Sequence, residues 1–199
     1  FDAYKRTNSY FENSELASSG LPSEKELNFL NPYYDVLPKE LYTEEYKNPI
    51  TDGSGYMRSQ LQKASKLLKD AGWKLIDGKL INSSTKESFE FEILLRSPAF
   101  ERIVLPFRDN LEKLGMSVTV RTIDTAEYQK KIDTFDFDMI VQNFSQSLSP
   151  GNEQRSFWGS DAADTNGSRN VIGIKNYAID GLIENLINAK DREELITIT

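Results

Sequence analysis

Apolar residues fall at every second position in Phe89, Phe91, Ile93 and Leu95, the period of a strand. Ser97-Pro98 then supplies an N-cap and a first-turn proline. Phe100, Ile103, Val104, Phe107, Leu111 and Leu114 follow at helical spacing until Gly115, and Pro106 inside that stripe predicts a kink. Met116, Val118 and Val120 alternate again, as a second strand does. Asp124 with Glu127 reads as a capping box for a helix reaching Ile132. Phe137, Met139, Ile140 and Val141 form a third, more continuously apolar run, the pattern of a buried parallel strand.

Upstream, Leu61, Ala64, Leu67, Leu68 and Ala71 share one helical face, and Gly72 fits the left-handed position beyond a helix, with Trp73 packing back on Leu68. Asp77-Gly78 predicts a hairpin turn between short strands at 73–76 and 79–82. Residues 1–58 are punctuated by Gly20-Leu21-Pro22, Asn31-Pro32, Leu37-Pro38 and Asn48-Pro49. They predict an irregular segment with short helical pieces at 23–30 and 38–46, draped over the α/β lobe of residues 59–199. A loop-rich stretch is expected at 143–176, then a last amphipathic helix carrying Ala178, Ile179, Leu182, Ile183, Leu186 and Ile187.

The order strand–helix–strand–helix–strand predicts an α/β fold with a parallel-rich sheet flanked by helices. Ligands of such sheets sit beyond the carboxyl ends of the strands. The loops Arg96-Ser97, Thr122-Ile123-Asp124 and Asn143 through Gly151 should converge there.

Composition narrows the chemistry. The 199 residues carry a net charge of −7, which disfavours nucleic acid and anionic membrane surfaces. No apolar run approaches the roughly 20 residues of a membrane span. With neither Cys nor His, thiol catalysis, Cys/His zinc sites and histidine acid–base chemistry are excluded. No phosphate-binding glycine loop or nucleophile elbow is present. No catalytic residue, metal or cofactor is expected.

Gln142 to Trp158 reads QNFSQSLSPGNEQRSFW, rich in amides and hydroxyls. Recognition of peptide groups needs such neutral donors and acceptors, with aromatics for apolar area; an ordinary solvated loop has the same composition. Arg155 and Arg169 could each fork a ligand carboxylate, or pair with a local acid such as Glu153 or Asp164. Trp158 could stack on a ligand or anchor the core. Asn166-Gly167-Ser168 reads as a turn. The helix start at Ser97 could bind an anion, though capping accounts for it. Asp136 and Asp138 flank Phe137 and should share a strand face; paired carboxylates could serve hydrolysis or a metal, though edge solvation accounts for them as well.

The ordered segments KASKLLKDAGW, DGKL, FEFEILL, FERIVLPFRDNLEKLGMSVTVRTIDTAEYQKKI and FDFDMI resemble the carboxy-terminal lobe of the peptide/nickel class of extracellular solute-binding proteins. QSLSPGNEQRSFWGS and SYFENSELASSGLPS resemble its YejA-like oligopeptide-binding branch. The resemblance implies a type II periplasmic-binding-protein-like lobe, two lobes clamping an oligopeptide, delivery to an ABC permease in the inner membrane, and a periplasmic, monomeric protein. It also implies that the signal peptide and amino-terminal lobe are absent from this chain. Together with the topology it gives the expected ligand-binding set: Asn143, Phe144, Gln146, Ser147, Asn152, Arg155 and Trp158. Ser147 stands where oligopeptide binders of this class often carry an aspartate for the ligand's ammonium. A sensor or chaperone lobe of the same fold, or a carboxylate-dependent hydrolase, are the alternatives.

Overall fold

The computed structural model describes residues 6–199, and the chain divides into two compact units. One is continuous, Thr51–Gln142; the other joins the residues up to Ile50 with Asn143–Thr199.

In the 51–142 unit, α3 spans Arg58–Asp70, after the short helices α1 (Glu24–Leu30) and α2 (Glu40–Thr43) of the other unit. Gly72 has φ +89°, the left-handed position expected beyond α3. β1 (Trp73–Ile76) and β2 (Lys79–Asn82) pair antiparallel, with Ile76 opposite Lys79. Asp77 and Gly78 both have positive φ, 50° and 79°, as a type I′ hairpin turn requires. Trp73 packs its ring on Phe89 at 4.6 Å between centroids.

β3 (Glu90–Leu95), α4 (Glu101–Glu112), β4 (Ser117–Thr122), α5 (Thr125–Asp133) and β5 (Met139–Ile140) follow in the expected order. Both pairings of the central strand β3 are parallel, giving the sheet order β4-β3-β5. Ile93 and Leu95, each 1% exposed, project onto one face with Val104 of α4 and Val118 of β4. Phe91, Phe100, Leu111, Met116, Val120 and Val141 complete this core. Ser97 caps a short turn at Pro98–Phe100, its hydroxyl accepting from the Ala99 amide, and α4 runs on through Pro106. Asp124 caps α5 by accepting from the amides of Ala126 and Glu127. Glu127 reaches toward Arg121.

Two strand-end loops lie together at the carboxyl edge of the sheet. Ile123 donates its amide to Leu95 O at 2.9 Å, and the Thr122 hydroxyl meets Glu101 at 2.7 Å. The third strand departs from expectation. β5 has only two residues, and Met139 is 37% exposed, so it is a short edge strand. Residues 136–138 precede it: Asp138 accepts from the Glu92 amide at 2.9 Å, and Asp136 pairs with Lys131 at 2.5 Å. The two carboxylates thus hold the entry to β5 in different ways and share no strand face.

The other unit is helical. Ser23 and Glu26 form a reciprocal capping box at the start of α1. The 143–176 stretch, expected to be loop-rich, holds α6 (Glu153–Trp158) and a 3-10 turn at Ser160–Asp164. α7 (Tyr177–Ile187) is capped by Asn176. A further helix, α8 (Arg192–Ile198), starts at Asp191, which accepts from the Glu194 amide. Asn170, fully buried, binds the segment to itself: its amide donates to Gly159 O and Ile174 O and accepts from Ile174 N, each at 2.9 Å. Ser160 adds hydrogen bonds from its amide and hydroxyl to Asp180 of α7. No described helix is long and apolar enough to cross a membrane.

Candidate ligand-binding site

All seven residues singled out in the sequence lie between Asn143 and Trp158, in the loop leading to α6 and in α6 itself. Phe144, Gln146 and Trp158 are half-buried; Asn143, Ser147, Asn152 and Arg155 are exposed. Phe144, Trp158 and Tyr10 form an aromatic cluster, with Trp158 4.9 Å from each of the other two rings. Phe157, buried at 4% exposure, supports it from below and carries Arg169 over its ring at 5.1 Å.

An amide relay ties this cluster to the loop. The Trp158 indole N–H can only donate, so the atom it meets at 2.9 Å is the Gln154 Oε1. That fixes the Gln154 amide, whose Nε2 donates to Gln146 Oε1 at 2.8 Å. Gln146 is fixed in turn, and its Nε2 is buried without a hydrogen-bond partner among the described residues. Gln154 itself is 3% exposed. Sequence reasoning missed it, although the spacing of Gln154 and Trp158, one helical turn apart, was available as a signal.

Arg155 is committed elsewhere. Its Nε and Nη2 fork the Glu184 carboxylate of α7 at 2.6 and 2.7 Å, and its Nη1 donates to Asn152 Oδ1 at 2.7 Å. The acid is neither Glu153 nor Asp164; Asp164 pairs with Lys175. Burial works to raise the Glu153 carboxyl, but its own amide, the Gly151 amide and Gln154 hold it below the usual range. Ser147 accepts from the Ser149 amide at 3.2 Å, a local turn contact. Asn166-Gly167-Ser168 forms the expected turn, with Gly167 at φ +76°.

The hydrogen bonds from Arg155 hold the Glu184 carboxyl below its ordinary value, and its positive charge adds to them. A carboxyl with a depressed folded-state pKa contributes stability above its unfolded pKa, near 4.3, and loses it as pH falls through the lower folded value. In Arg155→Ala, the Glu184 carboxyl resonance, followed by NMR, should titrate at higher pH than in the unaltered protein. An unmoved midpoint would show that the pair does not persist in solution.

The fold is that of the type II periplasmic binding proteins. The oligopeptide-binding protein AppA of Bacillus subtilis, solved in complex with a nonapeptide, superposes with a TM-score of 0.61 at 24% identity, covering 69% of this chain and 27% of its own. Residues 20–166 match the bacterial extracellular solute-binding proteins, family 5, and the chain belongs to that family. It is 46% identical over 199 residues, 100% of its length, to an uncharacterized protein of Sinorhizobium fredii, of which it spans 30%. It is 41% identical over 98% of its length to YejA, a probable peptide-binding protein of Agrobacterium fabrum, of which it spans 32%. The chain therefore covers about a third of the curated relatives it matches. The resemblance read from its segments holds at the level of family and fold.

Proposed function

We propose that the protein to which this chain belongs is the extracytoplasmic solute-binding component of an ABC importer. It binds oligopeptides between two lobes in the periplasm and hands them to an inner-membrane permease as a monomer. Residues 59–199 belong to its carboxy-terminal lobe, and the described residues up to Ile50 are built into it together with Asn143–Thr199. It binds its ligand without altering it; Asp136 and Asp138 are engaged by Lys131 and the Glu92 amide.

The observation that carries this reading is family membership joined to a loop of suitable chemistry. Asn143, Phe144, Gln146 and Ser147 offer amide, hydroxyl and aromatic groups, and the orphaned Gln146 Nε2 suits a carbonyl acceptor. A buried donor left unmade costs about 1–3 kcal/mol, which an incoming acceptor recovers. Trp158 contributes through its aromatic cluster. Asn152 and Arg155 act at one remove, bracing α6 against α7 through Glu184. Ser147 brings no charge to a peptide ammonium, so the ligand's amino end is held by another group or left in solvent.

Gentle purification of the full-length protein followed by mass spectrometry of its released ligands tests the reading. Near-stoichiometric oligopeptides are expected. Release of only sugars or metal chelates would overturn it.

A further inference from the structure

Helix α3 keeps its apolar face open. The stripe Leu61, Ala64, Leu67, Leu68 and Ala71 holds no buried residue, and Leu67 is 60% exposed. A helix this short draws most of its stability from packing such a face, and contiguous apolar surface left in the open marks a contact site. Leu61 and Leu68 join Trp73 and Leu75 of β1, Leu80 of β2 and Leu114 beyond α4 to line one groove. All of it lies inside the 51–142 unit. Leu80, buried, is its floor, and Leu75, 64% exposed, stands at its rim. The lining follows α3 from Arg58 to Lys69, about 16 Å of helix or three turns.

The charges around this groove have one sign. Arg58, Lys69, Lys74 and Lys113 line it, and no Asp or Glu does. Lys113 meets a neutral partner, Asn110 Oδ1 at 3.0 Å, and the other three side chains pair with no described residue. Elsewhere Arg121, Lys131, Arg155 and Lys175 each face a carboxylate. In a chain of net charge −7, an apolar groove ringed by unpaired cations is complementary to an acidic, apolar partner. The cations sit on three elements, α3, β1 and the end of α4. A lipid with a single anionic head could meet only part of that ring, whereas a helix carrying several carboxylates meets all of it. The groove also lies away from the ligand edge of the sheet. The Leu80 amide donates to Gly115 O at 2.7 Å, and Gly115 leads into the amino end of β4. The loops after Leu95 and Thr122 lie at the opposite, carboxyl end of the strands.

We propose that this groove docks an acidic amphipathic helix of a partner protein, its apolar side chains on the Leu and Trp lining and its carboxylates toward Arg58, Lys69, Lys74 and Lys113. The proposal does not rest on the peptide-binding reading, because the groove and the ligand edge lie at opposite ends of the strands.

The test is fluorescence anisotropy on the full-length protein with labelled helical peptides of about 14 residues. In the first peptide Leu recurs at positions i, i+3, i+4 and i+7 and Glu fills the rest. A second carries Lys for Glu, and a third Ser for Leu. The first should bind, more weakly as salt is raised, and the other two should bind at least about tenfold more weakly. Changing Lys69 and Lys74 together to Glu should weaken the first peptide by about fivefold or more and improve the second. Leu75→Ser should weaken the first without that exchange of preference. All three positions are exposed, so an unchanged thermal midpoint is expected for both variants. Failure of the first peptide to bind would overturn the proposal, and so show a groove already filled by another part of the full-length protein. Binding indifferent to both variants would place the peptide elsewhere, at the ligand edge included, and overturn it too. A dimer in sedimentation that the Lys69 and Lys74 changes dissolve would assign the groove to a second copy instead.

Discussion

Replacing Asn170 by leucine is expected to destabilise the unit containing α6 and α7 by roughly 3 kcal/mol or more. Asn170 is fully buried, and its one side-chain amide satisfies three backbone groups: Gly159 O, Ile174 O and Ile174 N. Leucine has similar volume but leaves all three buried groups unpaired, and each such loss costs about 1–3 kcal/mol. Asn170→Asp tests hydrogen bonding apart from volume. It keeps an acceptor for Ile174 N but sets a carboxylate against two carbonyl oxygens, so it should rescue little. The two tryptophans make the measurement specific, since Trp158 lies in the same unit as Asn170 and Trp73 in the other. With Trp73 changed to Phe, urea unfolding followed by Trp158 fluorescence should move to clearly lower denaturant in Asn170→Leu. A midpoint unchanged within error would mean that these backbone groups find other partners.

The second large effect is expected at Ile93. It lies on the central strand, 1% exposed, in a cluster with Leu95, Val104 and Val118. Ile93→Ala removes three carbons from a packed interior whose walls belong to strands fixed by pairing on both sides of β3. The surroundings can collapse only in part, so the cost should fall in the range of about 2–5 kcal/mol, against about 0.5–1.5 kcal/mol for Ile93→Val. With Trp158 changed to Phe, the Trp73 signal should report the loss in that order. Equal costs for Val and Ala would show that this core repacks freely around position 93.

The elements that the sequence made legible are those whose signals repeat. The hairpin at 73–82 has strand-length runs on either side of Asp77-Gly78, and the turn needs positive φ at both residues, which Asp and Gly supply. β3, α4 and β4 each carry an apolar period long enough to read, and helices between strands imply parallel pairing. The missed elements are short. α6 has six residues and α8 seven, too few for a helical period to stand out, though Asp191 followed by Glu194 was a start signal. Phe137, Met139, Ile140 and Val141 have the apolar continuity of a buried strand, but only Met139 and Ile140 pair with β3.

The candidate site was legible as a stretch and not as a network. Its residue types marked 143–158 as a place for neutral polar contacts. What each side chain touches depends on distant chain. Glu153 and Asp164 are the acids near Arg155 in sequence, while its partner Glu184 is 29 residues on, brought alongside by the packing of α7 on α6. Asn170 gave no signal at all: an asparagine in a polar stretch looks solvated until the chain around it closes.

The unit that carries the loop site is assembled from two stretches separated by the whole of residues 51–142. A chain that emerges amino end first can complete the 51–142 unit as soon as residue 142 is free. The earlier residues up to Ile50 must wait. Leu16, only 2% exposed, belongs to a unit that cannot close until Asn143–Thr199 has followed. The unit built from both stretches therefore closes after the 51–142 unit, and its earlier stretch waits uncovered in between. This timing makes that stretch the natural point of contact for a holding chaperone, and the place where a mutation that slows closure would first appear as aggregation.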